Sequence, residues 1–228
     1  DIYVVGGTTS KTFPTTNNVY QISYQDSLKA DPFITKINII QPNISQSTYL
    51  GTQKYDQAYF VETHNKNIYV MGQTNSTGMD FVKNVEYYQK GSNHFVSILS
   101  KELDTVYKST TFGTAKGTPD ISPTAFMVDY CGRIYVSGWG SNLGGGLSTL
   151  NLPFTDDAFQ KTTDGNDFYI MVLENNIDSL VYATFFGGSQ STEHVDGGTS
   201  RFDKKGIIYQ SVCAGCNGFS DFPIKPIP

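Results

Sequence analysis

Charge is scarce in this sequence, and the basic residues are scattered. Asp, Glu, Lys and Arg together make up 16% of the 228 residues, and the formal net charge is -5. Proteins that bind nucleic acid neutralise its phosphates with a clustered basic face, and the sequence has no such cluster. We therefore predict that nucleic acid is not a partner.

Long hydrophobic runs are also missing. Gly, Thr, Asn or a charged residue interrupts every apolar stretch. A membrane-spanning helix needs roughly 18 to 20 predominantly apolar residues in succession. The pattern therefore predicts no membrane span.

Cysteine is rare, with three residues, which is too few for a disulfide scaffold. Cys213 and Cys216 are separated by two residues, and a local disulfide, free thiols and a metal half-site all stay open for them. Cys131, which precedes Gly132 in a turn, is a further possible partner for either one. Cysteine usage therefore does not assign a redox compartment.

Turn formers and aromatic residues are plentiful. The chain has 22 Gly, 15 Tyr and 15 Phe, and no segment shows sustained helical periodicity. Aromatic and β-branched residues favour strands, whereas Gly favours the turns between them. This profile predicts an all-β fold.

One strand-like motif recurs along the whole chain. It occurs at Ile2-Tyr3-Val4, Ile68-Tyr69-Val70 and Ile134-Tyr135-Val136, and more loosely at Ile207-Ile208-Tyr209, with successive spacings of 66, 66 and 73 residues. Further segments keep the same phase, so each period holds about four short strands. Those segments are the aromatic-Gln pairs at 20–21, 88–89 and 159–160, the alternating strands 32–37, 94–99 and 167–173, the Gly-containing strands 47–52, 109–114 and 183–188, and the segments 58–61 and 125–128.

Four strands per repeat is the content of a propeller blade. Solenoid coils are much shorter, and a plain sandwich would not repeat the same offset. We therefore predict an all-β, β-propeller fold with four-stranded antiparallel blades and a repeat of about 66–73 residues. Because propellers close with about 4 to 8 blades, three repeats are incomplete, and we expect further blades outside the segment or association of copies. The predicted division is 1–21 for the end of a preceding blade, then blades at 22–89, 90–160 and 161–228.

The repeat resembles the seven-bladed β-propeller repeat family. The strand Asn67-Ile68-Tyr69-Val70-Met71-Gly72 and the loop Phe13-Pro14-Thr15-Thr16 match its pattern, as does Phe222-Pro223. The stretch 186–216 is similar to the form found in large surface and gliding proteins of Bacteroidetes that use type IX secretion. The resemblance covers essentially the whole chain, and it implies a secreted, cell-surface protein without a general catalytic site.

The densest carboxylate region lies in a turn-rich stretch. It contains Asp156 and Asp157, followed by Asp164, Asn166 and Asp167. Oxygen ligands of this kind suit calcium, although the spacing does not match an EF-hand loop. Asp164, Asn166 and Asp167 are therefore calcium candidates, with Asx turns as the alternative explanation. We expect no other cofactor.

Catalytic patterns are weak. His64, His94 and His194 fall at non-equivalent places in the repeats, without the spacing of a zinc protease. Residues 193–203 include Glu, His, Arg and Asp, but Gly197-Gly198 favours a tight backbone bend there. The sequence therefore predicts no enzyme.

Together these features predict a structural or adhesive module of a large extracellular protein, as an adhesin, appendage or filament component. Its expected partners are other domains of the same protein, further copies of itself, and a surface glycan or another cell-surface partner. The alternative is a carbohydrate-binding or glycan-hydrolysing propeller with a polar central funnel. That alternative requires convergent carboxylates and aromatics at equivalent blade positions.

Overall fold

The structure is a computed structural model that describes residues 1–25, 28–141, 145–195, 200–215 and 218–224. These residues form strands and turns without a helix, so the chain is all-β as predicted. No helix within those ranges has the length and hydrophobicity to span a lipid bilayer. The strands are β1 (Ile2–Thr8), β2 (Asp31–Asn38), β3 (Asn43–Tyr49), β4 (Asp56–His64), β5 (Asn67–Thr74), β6 (His94–Ser100), β7 (Val106–Phe112), β8 (Ser122–Val128), β9 (Ile134–Trp139), β10 (Phe168–Leu173), β11 (Leu180–Phe186), β12 (Arg201–Phe202) and β13 (Ile208–Tyr209).

The first compact unit, Asp1–Gly117, contains two antiparallel sheets. One has the strand order β1-β2-β3, and the other has the order β4-β5-β6-β7. Ile34 from the first sheet and Leu50, which directly follows β3, pack in one hydrophobic cluster with Val70 and Phe95 from the second sheet. Burial of these apolar side chains is the main force that holds the two sheets together.

The second unit, Thr118–Pro228, contains a four-stranded antiparallel sheet and a short two-stranded one. The larger sheet has the order β8-β9-β10-β11, and the smaller one pairs β12 with β13. Met127, Tyr135 and Val172 form a buried cluster in the larger sheet, and Phe202 of β12 packs against it.

The two four-stranded sheets have equivalent registers. The Ile-Tyr-Val motif lies in their second strands, β5 and β9, where Gly72 faces Phe95 and Gly138 faces Tyr169. The boundaries predicted after residues 89 and 160 fall in the loops between the second and third strands. The sheets therefore group the repeating strands differently from the predicted division, and they begin at β4 and β8.

A tight hairpin joins the first two strands of the second sheet. Asn65 and Lys66, which connect β4 to β5, have φ values of 46° and 67°. Two central residues with positive φ are characteristic of a type I′ turn, whose twist matches that of the strands on either side. The turn makes β4 and β5 direct neighbours, and the sheet continues from β5 to β6.

Candidate functional site

Two fully buried carboxylates meet in the second unit. Asp167 directly precedes β10, whereas Glu193 follows the loop that leaves β11, and both side chains have 0% exposure. The backbone amide of Glu193 donates to the carbonyl of Asn166, at 2.9 Å. This hydrogen bond fixes Glu193 beside the start of β10.

Gly187 completes this position, which we call the acid corner (Asp167, Gly187 and Glu193). A Cβ atom added to Gly187 would lie 1.9 Å from Asp167 Oδ1 and 2.7 Å from Glu193 Oε2. The two carboxylate oxygens therefore cannot be farther apart than the sum of these distances. Only glycine leaves the space between them open.

The hydrogen bonds at the acid corner are incomplete. Glu193 Oε1 accepts from the amide of Gly188, at 3.2 Å, and from the hydroxyl of Ser191. Within the described residues, Glu193 Oε2 and both carboxylate oxygens of Asp167 have no hydrogen-bond partner. Buried polar atoms are nearly always paired in folded proteins, so three such oxygens at one place call for an explanation.

Burial dominates the electrostatics of the acid corner. It raises the pKa of Asp167 to about 7, and the negative charges of Asp164 and Glu193 add to this shift. The Thr163 hydroxyl and the Asp164 backbone approach Asp167 and oppose the shift, although neither is in hydrogen-bonding geometry with its carboxylate. Burial also raises the pKa of Glu193. Two charged carboxylates at this separation are therefore unfavourable unless a cation or a proton lies between them.

The first unit has a related position, which we call the first corner (Asp31, Gly51 and Asp56). The amide of Asp56 donates to Ala30, the residue before Asp31, at 2.9 Å, as Glu193 does to Asn166. A Cβ atom on Gly51 would lie 2.7 Å from Asp31 Oδ1. Because the backbone contact and the glycine recur, the two corners are equivalent features of the repeat.

The first corner is better supplied with hydrogen bonds than the acid corner. Asp31 Oδ2 accepts from the amide of Gln25 at 2.7 Å, and Asp56 Oδ2 accepts from the amide and hydroxyl of Thr52, at 2.6 and 2.7 Å. Asp56 Oδ1 has no hydrogen-bond partner among the described residues. Burial raises the pKa of Asp56 to about 6, a smaller increase than that of Asp167.

The remaining repeat replaces one acid by an amide. Asn93, just before β6, occupies the place of Asp31 and Asp167, and its Nδ2 donates to the carbonyl of Thr74 at 2.8 Å. A buried acid, Asp120, precedes β8. The fold therefore accommodates an amide where the other repeats have a carboxylate.

Two loops hold the corners in place through the same hydrogen bonds. The side-chain carbonyl of Gln21 accepts from the amide of Gly51 at 3.0 Å, and that of Gln160 accepts from the amide of Gly187 at 3.1 Å. These glutamines belong to the recurring aromatic-Gln pairs. Each one fixes the glycine that makes room for the acids.

The predicted calcium candidates do not form one cluster. Asp164 is exposed, and its Oδ1 accepts from the amide of Asn166 at 2.8 Å, which is an Asx turn. Asp156 and Asp157 are exposed in another turn. In the described part of the chain, no three or more His, Cys, Asp or Glu side chains are arranged to hold a metal ion. Of the three candidates, only Asp167 belongs to the acid corner.

The cysteines and histidines lie at separate places. Cys131 is an exposed free thiol. Cys213 pairs with His194 through two backbone hydrogen bonds, and Cys216 lies outside the described residues. His94 is buried and stacks on Phe112.

A polar cleft of about 530 Å³ opens on the first unit. Tyr20, Gln25, Lys54, Ser76 and Asp80 contribute to its lining. Tyr20 is 44% exposed, so its ring is available to a ligand. An aromatic ring beside hydrogen-bonding side chains suits a polar ligand such as a saccharide.

The pairing of acids from different loops was not predicted from the sequence. The signal is visible once the repeats are aligned, because Asp31, Asn93 and Asp167 each lie at the start of the third strand of a repeat. The sequence matches no protein-family model, and no curated protein is significantly similar to it. The resemblance to the seven-bladed repeat family therefore stays a prediction.

Proposed function

We propose that this chain is a non-enzymatic structural module, formed by blades of a β-propeller, that serves as a rigid scaffold for adhesion at the cell surface. The observation that carries the proposal is the repetition of four-stranded antiparallel sheets with equivalent register. β6 and β10 are buried at every residue, so both faces of these strands are covered. Blades stacked around an axis need this kind of burial.

Polar side chains that bind loop backbone support a structural role. The Gln21 and Gln160 amides hold the backbone of loops, and Glu193 accepts hydrogen bonds from its own loop. Asp203 accepts from the amides of Lys205 and Ile207, and therefore caps a turn. These contacts use the acid and amide groups to shape the chain.

The blade arrangement is tested by the structure of the protein with its flanking sequence. Cryo-electron microscopy or crystallography should find the sheets arranged radially around one axis, with additional blades that close the ring. Sheets that pack face to face as a sandwich would contradict the propeller.

The adhesive role is tested by binding. The purified chain should bind to cells or to immobilised cell-surface glycans and should show no turnover in a panel of glycoside hydrolase substrates. Turnover that a single carboxylate substitution abolishes would overturn the non-enzymatic proposal.

Carbohydrate binding is the second candidate function, and the polar cleft with Tyr20 favours it. Tyr20→Ala should reduce glycan binding roughly tenfold or more, because stacking on an exposed ring is a main source of affinity for a saccharide. Tyr88→Ala is the matched control, since Tyr88 precedes Gln89 as Tyr20 precedes Gln21 and is 43% exposed. Equal losses in the two variants would exclude the cleft as the binding site.

A further inference from the structure

The acid corner combines burial, negative charge and missing hydrogen bonds. Asp167 and Glu193 have 0% exposure, and three of their four carboxylate oxygens have no hydrogen-bond partner within the described residues. At the first corner, by comparison, amides and a hydroxyl of the loops donate to Asp31 Oδ2 and Asp56 Oδ2, and Asp56 Oδ1 is without a partner among the described residues. Buried charges are normally paired or bound to a metal ion.

We propose that Asp167 and Glu193 bind one hard divalent cation, with calcium as the best fit, through Asp167 Oδ1 and Glu193 Oε2 beside Gly187. This proposal goes beyond the structural and adhesive role and does not depend on it. It retains Asp167 from the sequence-predicted candidates and adds Glu193, which the sequence places in a different loop.

The separation of the two oxygens fits such an ion. Calcium binds oxygen ligands at about 2.3–2.6 Å, so one ion can join two oxygens up to about 5 Å apart. The distances of 1.9 and 2.7 Å from the Gly187 Cβ position keep Asp167 Oδ1 and Glu193 Oε2 within that limit. The two oxygens are therefore close enough to bind the same ion.

The chemical type of the ligand atoms determines which ion fits the acid corner. Both proposed metal ligands are carboxylate oxygens, and the Thr163 hydroxyl is a further oxygen close to Asp167. Oxygen ligands suit calcium, magnesium and manganese, whereas zinc and copper favour nitrogen or sulfur. Calcium accepts carbonyl, hydroxyl and water ligands in irregular geometry, whereas magnesium requires a near-ideal octahedron. An irregular corner of two loops therefore suits calcium best.

Charge near the acid corner favours a cation as well. The negative charge of Asp164 acts on both Asp167 and Glu193, and that of Asp221 acts on Glu193. An ion with two positive charges neutralises the buried pair and is attracted by the acids around it.

Another repeat of the chain indicates which substitution of Asp167 the fold accepts. Asn93 shows that the fold accepts an amide at the position of Asp167. Asp167→Asn should therefore fold, and Glu193→Gln is a second variant that removes the other ligand. Asp156→Asn is the matched control, because Asp156 is an exposed acid in a nearby part of the sequence and lies outside the acid corner.

The experiment measures binding and thermal unfolding after metal removal with a chelator. Calorimetric titration with calcium chloride should detect binding, and excess calcium should raise Tm for the native chain and for Asp156→Asn. Asp167→Asn and Glu193→Gln should lose at least roughly 100-fold in calcium affinity and show no rise in Tm, since even a residue that only supports a ligand is worth 10–100-fold. Without metal, Asp167→Asn should melt above the native chain because it removes a buried negative charge.

Three results would overturn the proposal. The first is a native chain whose Tm does not respond to calcium at any pH, which would show that Asp167 and Glu193 share a proton and do not bind an ion. The second is an equal response to calcium in the native chain and in both corner variants, which would place the ion elsewhere. The third is a corner that binds magnesium as tightly as calcium.

Discussion

The hydroxyl groups of Ser97 and Ser109 lie 2.8 Å apart across β6 and β7, in the buried interior of the second sheet. The equivalent pair in the first sheet is Thr35 and Ser47, whose hydroxyls are 2.9 Å apart. In the third sheet, Met171 faces Ala183 at this place. The repeat therefore fills one interior position either with a pair of mutually bonded hydroxyls or with two apolar side chains.

This substitution pattern predicts strong coupling between the two serines. Ser97→Ala should lower the free energy of unfolding by about 1–3 kcal/mol, because it leaves the buried Ser109 hydroxyl without its partner. The double variant Ser97→Ala with Ser109→Ala should lose clearly less than the sum of the single variants. Urea unfolding of the native chain, the two single variants and the double variant gives a double-mutant cycle. Additive losses in the free energy of unfolding would show that the two hydroxyls do not depend on each other.

Gly187 should not tolerate a side chain. A Cβ atom would lie 1.9 Å from Asp167 Oδ1, so the loop or the acid has to move. Gly187→Ala should lower the free energy of unfolding by about 1–3 kcal/mol, as overpacking does in protein cores. Gly215→Ala is the control, because no atom lies within 4 Å of its added Cβ. Equal urea midpoints for the two variants would contradict the tight geometry.

The Gln21 side chain should contribute more to the free energy of unfolding than its partial exposure suggests. Gln21→Ala leaves the Gly51 amide without its acceptor and removes a further bond from the Gln21 amide to the Ser23 carbonyl, at 3.1 Å. We expect a loss of about 1–2 kcal/mol in chemical unfolding. Gln41→Ala, at an exposed turn, should change stability by less than about 0.5 kcal/mol. A neutral Gln21→Ala would show that water replaces this contact.

Stability without metal should increase as the pH is lowered towards 5. The folded pKa values of Asp167, about 7, and Asp56, about 6, lie above the value near 3.8 of an unfolded Asp. The folded state therefore holds these protons more tightly, so the stabilisation is complete below about pH 4 and is lost as the pH rises through 6 to 7. The pKa of Asp221 is lowered, and its contribution changes only in more acidic solution.

The measurement is urea unfolding in chelator between about pH 5 and about pH 8. The native chain should lose on the order of 1–3 kcal/mol over this range, and Asp167→Asn should lose less because one of the two raised acids is gone. Asp156→Asn should follow the native chain. A native chain whose stability rises with pH over this range would contradict the assigned shifts.

The sequence predicts the type and number of strands well, and the grouping of strands less well. Ile68 and Ile134 occupy the same register position in their sheets because each repeat buries the same apolar side chains. A repeat has a period but no marked beginning, so sequence comparison cannot decide where a sheet starts. The pairing of β5 with β6 and of β9 with β10, across the predicted boundaries at residues 89 and 160, decides the grouping.

The acid corner depends on contacts between distant loops, which the sequence does not reveal. Asp164, Asn166 and Asp167 are close in the sequence, but the turn points Asp164 towards its own backbone. The partner of Asp167 is Glu193, which comes near only after β10 and β11 have paired and Gly187 has been fixed by Gln160. Spacing along the chain therefore identified one member of the corner and missed the other.

Every described strand pair joins neighbours in the chain, from β1 with β2 to β12 with β13. Strands that follow one another pair without a crossover, and the entropy cost of closing the loop between them grows only slowly with loop length. Each sheet can thus assemble from its own stretch of polypeptide while the next stretch is still being synthesised. A long protein built of such units would reach its native state step by step, and a defect in one unit would delay only its immediate neighbours.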